Sequence, residues 1–323
     1  MNLLIFYLFI LFTSFIVTFS ILPWLIEKLT ERKILGTDMN KSSKPKIPEM
    51  GGISVLIGFV VGVYVQIFLF EITGIGIVIN DYILCSLVTA IGVSYVGILD
   101  DLIGIRQRTK AFLPFMFALP LGFFTNSVMF LPYFGEYDFG YLMLFLVPFA
   151  ITCASNSTNM LEGFNGLGTG LSIIICSALS FMAIINEDLN GLYLLIPLLG
   201  SLLAFWYYNK YPAKIFPGDT LTMFMGAVIA CAAIASNLRL EGAILLTPMI
   251  LEFFLKFRGR FSAESFATKV NEGILIYDRE IQSLTHILMS NFELTEKKLV
   301  EIILIIELTL AAMLCMFSYF EII

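Results

Sequence analysis

The chain has 323 residues, 59% of them hydrophobic and 14% charged, with a net charge of −6. Soluble domains run nearer half apolar and a quarter charged, so this composition excludes an ordinary soluble domain and calls for a bilayer. Five cysteines without CxxC spacing and one histidine, His286, argue against a zinc centre.

A membrane-crossing helix needs roughly 20 apolar residues. The sequence predicts ten, at 3–26, 51–70, 82–99, 111–131, 141–159, 167–185, 191–208, 219–236, 240–257 and 299–320. The expected fold class is therefore all-α: a polytopic membrane helix bundle, with residues 1–323 forming one integral membrane domain. The first run has no cationic flank before it and no small-residue cleavage site after it, so it reads as an uncleaved span. Cys85, Cys153, Cys176, Cys231 and Cys315 lie in the apolar runs and read as small core residues.

The connection at 27–50 is basic and ends in Ile-Pro-Glu-Met-Gly-Gly, which places the acid Glu49 before the second span. The third span closes on Asp100-Asp101. Adjacent carboxylates at a membrane boundary persist where a cation is near. Arg106, Arg108 and Lys110 follow, and suit phosphate. At the end of the fifth span Asn156 and Asn159 stand three apart, on one helix face. Glycines 163, 166, 168 and 170 come next. They allow either close approach of backbone to a ligand or close packing of helices. The start of the next helix also offers free N–H groups to an anion.

Before the eighth span, Phe-Pro-Gly-Asp-Thr puts Asp219 after a rigid turn, as an N-cap or a metal ligand. Phe216 there stacks on a base or anchors the loop in the interface. After the ninth span, Lys-Phe-Arg-Gly-Arg offers Arg258 and Arg260 as a guanidinium clamp on a diphosphate, or as an ordinary basic flank. The long connection that follows predicts a helix at 280–290, lying along the membrane surface, from Ile281, Leu284, Ile287 and Leu288. Glu252 and Glu307 lie inside spans and read as helix-pairing or interface groups.

All but one of the 19 Lys and Arg residues fall in or beside one alternating set of connections; Arg239 is the exception. Cytoplasmic loops carry this excess. The expected topology thus has both termini outside and the acidic motifs at the cytoplasmic ends of their spans. A bundle could gather them into one pocket. Carboxylate and amide oxygens without histidine or thiolate suit Mg²⁺, with Mn²⁺ as an alternative.

Four pieces taken together carry a resemblance: Asp-Met-Asn-Lys (38–41) with Ile-Pro-Glu (47–49), Asp100-Asp101 with Lys110, Asn-Met-Leu-Glu-Gly-Phe-Asn-Gly-Leu (159–167), and Phe-Pro-Gly-Asp-Thr (216–220). With the ten-span layout they resemble the polyprenyl-phosphate N-acetylhexosamine-1-phosphate transferases, glycosyltransferase family 4, over nearly the whole chain. The branch most similar acts on UDP-GlcNAc and dolichyl phosphate in archaea and eukaryotes, at the first membrane step of N-glycan assembly.

The resemblance implies a cytoplasmic-face active site in which Asn159 and Asp219 hold Mg²⁺. It places Asn165, Phe216 and the Gly166-Leu167 backbone near the uridine. Lys110, Arg258 and Arg260 would contact diphosphate oxygens, Asp100 and Asp101 would sit beside the lipid phosphate, and Glu49 would support Lys110. Asn156 is counted with the substrate-binding residues. The implied partners are a UDP-N-acetylhexosamine, a polyprenyl or dolichyl phosphate and membrane lipid, with no nucleic acid; a homodimer is compatible with this.

Gly104 stands where relatives often carry Asp or Asn, and the His-rich last-loop motif of cell-wall members is absent, which argues against a UDP-MurNAc-pentapeptide substrate. An undecaprenyl-phosphate transferase of bacterial type is the alternative within the class, and a secondary transporter the alternative outside it.

Overall fold

The computed structural model describes residues 2–76, 78–131, 135–261 and 263–320. Its helices in chain order are α1 (Leu3–Glu31), α2 (Gly52–Thr73), α3 (Asp81–Ile103), α4 (Gln107–Ala118), α5 (Leu121–Phe124), α6 (Met143–Leu161), α7 (Leu167–Ile185), α8 (Leu192–Asn209), α9 (Gly218–Ala235), α10 (Arg239–Leu245), α11 (Thr247–Arg258), α12 (Leu284–Asn291) and α13 (Glu296–Tyr319). Short strands form three small sheets: β1 (Leu35–Thr37) with β2 (Lys46–Pro48), β3 (Val128–Leu131) with β4 (Gly135–Asp138), and β5 (Lys269–Asn271), β6 (Ile274–Ile276) and β7 (Leu294–Thr295), all antiparallel.

The chain is an integral membrane protein of polytopic helical type. Among the described residues eight helices are long and apolar enough to cross a membrane. They match eight of the ten expected spans, and 167–185 agrees at both ends.

The fourth and ninth expected spans are each broken in two. The fourth stops being α-helical near Leu119-Pro120, and its tail turns into β3. The ninth breaks at Leu246, two residues before Pro248. A proline ring removes a backbone N–H donor and crowds the preceding turn, which an apolar count cannot register.

Helix starts follow local chemistry. Asn80 Oδ1 accepts from the Ile83 N–H (2.8 Å) at the start of α3, and Thr295 caps α13. In α9, 83% of the span is buried, against 28% in α1. Helix α9 is therefore the hub, packed on α3, α6, α8 and α2, while α1 leaves most of its surface to lipid. The most extensive helix pair is α3 on α9. A Cβ at Gly97 would stand 2.6 Å from the Thr220 Cα, so only glycine lets the two helices meet there.

The last connection is a built structure. Fully buried Glu252 of α11 accepts from Ser265 Oγ (3.0 Å), Ser283 Oγ (3.0 Å) and the Leu284 N–H (2.8 Å), and pairs with Lys256 (3.4 Å). It is thus a docking post for this loop, not a helix-pairing group. The expected 280–290 helix begins only at Leu284, because Ser283 caps it; Ile281 lies outside.

Glu307 is buried in α13, and neither carboxylate oxygen has a partner. His286 stacks on Tyr277 (centroids 3.5 Å apart) and binds the Glu264 carbonyl (2.9 Å). Burial holds its imidazole down at about 4, below the ordinary 6.5. An undocked loop therefore binds a proton that the docked loop refuses, and docking weakens as pH falls from about 6.5 toward 4. Protease cutting within 261–298 should rise at pH 5 relative to pH 8, and His286→Gln should flatten that response. Cutting with the same pH response in both proteins would refute it.

Candidate active site

Three helix ends meet where α3 and α6 finish and α9 begins. At their junction lies the ammonium of Lys110, from the first turn of α4. It pairs with Asp100 (2.8 Å) and with Asp219. With the Asn159 amide turned to satisfy its neighbours, its oxygen accepts from Lys110 (2.9 Å) and its nitrogen donates to Asp219 Oδ1 (2.9 Å) and Thr222 Oγ1 (2.7 Å). One cation is thus enclosed by oxygens from three helices. Lys110 is 7% exposed and Asp100 12%, but Asp219 is 26% exposed and opens onto a cavity.

Among the described residues no group of three or more His, Cys, Asp or Glu is arranged to hold a metal alone. Mg²⁺, however, commonly takes one or two carboxylates and fills its octahedron with water and substrate phosphate oxygens. Asp219 and Asn159 fit that pattern: hard oxygen donors at a cavity edge, in a cage that already accepts a cation.

Asp101 has a different place from its neighbour. Its carboxylate accepts from the Asp219 N–H (2.8 Å), the Thr220 N–H (3.0 Å) and Thr220 Oγ1 (2.7 Å). It caps α9 from outside that helix, complements the positive end of its dipole, and so aims Asp219. Sequence reasoning paired Asp101 with Asp100; the structure gives it a positioning geometry.

Asp100 itself accepts from the Ile105 N–H (2.8 Å), which leaves its other oxygen to Lys110. Glu49 lines the cavity, but no hydrogen bond or ion pair joins it to Lys110 among the described residues. Burial and the negative charge of Asp101 push its carboxyl up. Asn156 spends its amide on the carbonyls of Thr152 (2.9 Å) and Ala111 (3.2 Å), tying α6 to α4, and does not line the cavity.

The cavity holds about 240 Å³. Phe216 forms one wall, fixed because its N–H donates to the Pro48 carbonyl (2.8 Å) and its carbonyl accepts from Gly51 (2.9 Å). Asn165 forms another. Its N–H donates to Glu296 (2.9 Å) and its amide to Asp38 (3.1 Å), while Lys41 pairs with both acids.

Gly166 and Leu167 lie behind Asn165 as the start of α7, outside the lining; the Gly166 carbonyl accepts from the Trp206 indole (3.3 Å). Arg258 and Arg260 are exposed and absent from the lining, and Arg258 donates to the Ile281 carbonyl (2.6 Å). The structure does not assemble the expected arginine clamp.

Several residues of the site carried no role in the sequence. Asp38, Asn40 and Lys41 belong to a recognised motif, yet only the fold shows their task. Asn40 ties the Gly163 carbonyl (2.8 Å) to the Ala267 N–H (3.1 Å), joining the first connection to the last. Glu296 gave no signal beyond a helix start. Thr222 and Phe266 line the cavity from α9 and from the last loop.

The fold and site define a polytopic membrane protein whose oxygen-lined, cation-holding pocket suits phosphate-bearing ligands. Comparison with known proteins gives the family. The sequence profile of glycosyl transferase family 4 matches residues 83–237. A Saccharolobus solfataricus protein, provisionally named UDP-N-acetylglucosamine–dolichyl-phosphate N-acetylglucosaminephosphotransferase, is 38% identical over 90% of each chain. A Sulfolobus acidocaldarius protein with the same provisional name is 33% identical over 94% of each. The Borreliella burgdorferi phospho-N-acetylmuramoyl-pentapeptide-transferase is 31% identical over 74% of this chain and 76% of its own. The chain belongs to glycosyl transferase family 4, which sets aside the transporter alternative.

Proposed function

We propose that the chain transfers N-acetylglucosamine-1-phosphate from UDP-GlcNAc to dolichyl phosphate, releasing UMP, at the cytoplasmic face of the membrane. The observation that carries this reading is the Lys110 ammonium held by Asp100, Asn159 and Asp219 oxygens, where Asn159 and Asp219 also line a polar cavity. The names of the archaeal relatives supply the substrates, and the Lys/Arg-rich connections supply the sidedness, with both termini outside.

A lipid phosphate has a second pKa of about 6 and is mostly dianionic at neutral pH. Its oxygen attacks the β-phosphorus of the UDP-sugar. The bond from that phosphorus to the bridging oxygen breaks, and UMP leaves with the electron pair. No strong base is required. The obstacle is bringing negative charges together, so fixed cations carry the catalysis. Lys110, held by Asp100, presents its charge to diphosphate oxygens. Asp101 keeps the start of α9 in register. Phe216 and Asn165 make the walls against which a nucleoside would lie. Mg²⁺ held by Asn159 and Asp219 would neutralise phosphate charge and stabilise the departing UMP.

His286, the single histidine, is buried under Tyr277 and away from the cavity, which argues further against the muramoyl-pentapeptide reading. Purified protein with Mg²⁺ should release UMP from UDP-GlcNAc with dolichyl phosphate, and far more slowly with undecaprenyl phosphate. Failure with every UDP-N-acetylhexosamine and both lipids would reject the proposal; equal use of both lipids would reject the dolichyl assignment.

A further inference from the structure

Glu162 is the first residue past α6 and lines the cavity together with Asn159, Asn209, Asp219 and Thr222. Its Oε2 is buried without a hydrogen-bond partner, and among the described lining residues it is the one buried side-chain polar atom so left. The carboxyl lies against the first turn of α7. A Cβ at residue 168 would stand 3.2 Å from the Glu162 carboxyl carbon and closer still to its oxygen, so Gly168 makes the room. The glycines of this segment thus admit a side chain of the protein itself, and that acid occupies the place at the helix start where an anion would sit.

No Lys or Arg pairs with Glu162 among the described residues, and the other titratable groups on the cavity, Asp38, Glu49 and Asp219, are acids. Burial pushes its carboxyl up to about 8, opposed only by the Gly168 N–H. Burial thus favours the neutral acid, whose O–H can donate. A buried donor without an acceptor is costly, and a ligand that brings an acceptor recovers that cost.

Resting on the transferase reading above, we infer that Glu162 recognises the nucleotide sugar by donating a hydrogen bond to a neutral carbonyl oxygen. UDP-GlcNAc offers three such oxygens, two on the uracil ring and one in the acetamido group, and an uncharged donor suits any of them.

The test is direct binding of UMP, UDP-glucose and UDP-GlcNAc, in Mg²⁺, to wild type, Glu162→Gln and Glu162→Met. The Met variant fills the same space without a donor, and should bind UDP-GlcNAc roughly tenfold more weakly. The Gln variant keeps a donor and should recover most of that loss. A loss already present with UMP assigns a uracil carbonyl; a loss confined to UDP-GlcNAc assigns the acetamide. Wild-type affinity should also fall as pH rises through about 8. The Gln variant should lack that step, although Asp38, Glu49 and Asp219 remain. Unchanged binding in Glu162→Met, or Gln no better than Met, overturns the assignment while leaving the transferase reading intact. A wild type that binds no UDP-sugar overturns both.

Discussion

An Asp219→Asn variant is expected to lose turnover by roughly 10²–10³-fold, the cost typical of removing one preorganised electrostatic contact to a developing charge. The change is nearly isosteric. It keeps the backbone N–H that donates to Asp101, so α9 stays capped and the protein should fold normally. The loss should therefore fall on kcat and on the Mg²⁺ concentration needed for half-maximal rate, with higher Mg²⁺ recovering part of it. An Asp219→Asn protein with wild-type turnover and wild-type Mg²⁺ dependence would remove this carboxylate from the chemistry.

Lys110→Met should be the second large effect, and its signature differs. The ammonium now separates Asp100 from Asp219 inside a largely dry junction. Removing one partner of a buried pair leaves the others uncompensated. We expect turnover to fall roughly 10²-fold and the thermal midpoint to drop in EDTA. Mg²⁺ should restore the midpoint, because a divalent ion can occupy the oxygens that lost their ammonium, yet it should not restore turnover. Adding Asp219→Asn to Lys110→Met should cost less than the two losses together, since both act on one cluster. Full additivity, or a thermal midpoint indifferent to Mg²⁺, would mean that Lys110 stands on a metal-free structural pair.

Spans were readable where the apolar run stays one helix, as at 167–185, and Pro148 and Pro197 inside two other runs did not break them. At 111–131 and 240–257 the helix is interrupted instead, where Pro120 and Pro248 accompany a break that hydropathy does not see. The acidic end was legible in parts: adjacent carboxylates beside a membrane need a cation, which singles out Asp100 with Lys110 nearby, while Asp219 stands out only as an acid after a Pro-Gly turn. What stayed hidden depends on contacts far apart in the chain. Asp101 reads as the twin of Asp100, and only the α3–α9 crossing, made possible by Gly97, turns it into a cap 118 residues away from Asp219.

Asn165 was expected beside the nucleoside, and it does line the cavity. Its fixation by Asp38 and Glu296 spans the first and last connections and has no local sequence signal. Arg258 and Arg260 show the opposite case: a basic run that suits a diphosphate, in a segment whose observed contacts run to the last loop instead.

On the proposed mechanism a divalent ion would join Asn159 and Asp219 to the nucleotide diphosphate. Electron paramagnetic resonance of Mn²⁺, titrated into wild type and Asp219→Asn in the presence of UDP-GlcNAc, addresses it directly. One bound Mn²⁺ per chain in wild type, dependent on the nucleotide and lost in the variant, is the predicted result. No bound ion in wild type, or an ion retained undiminished in Asp219→Asn, would contradict the account.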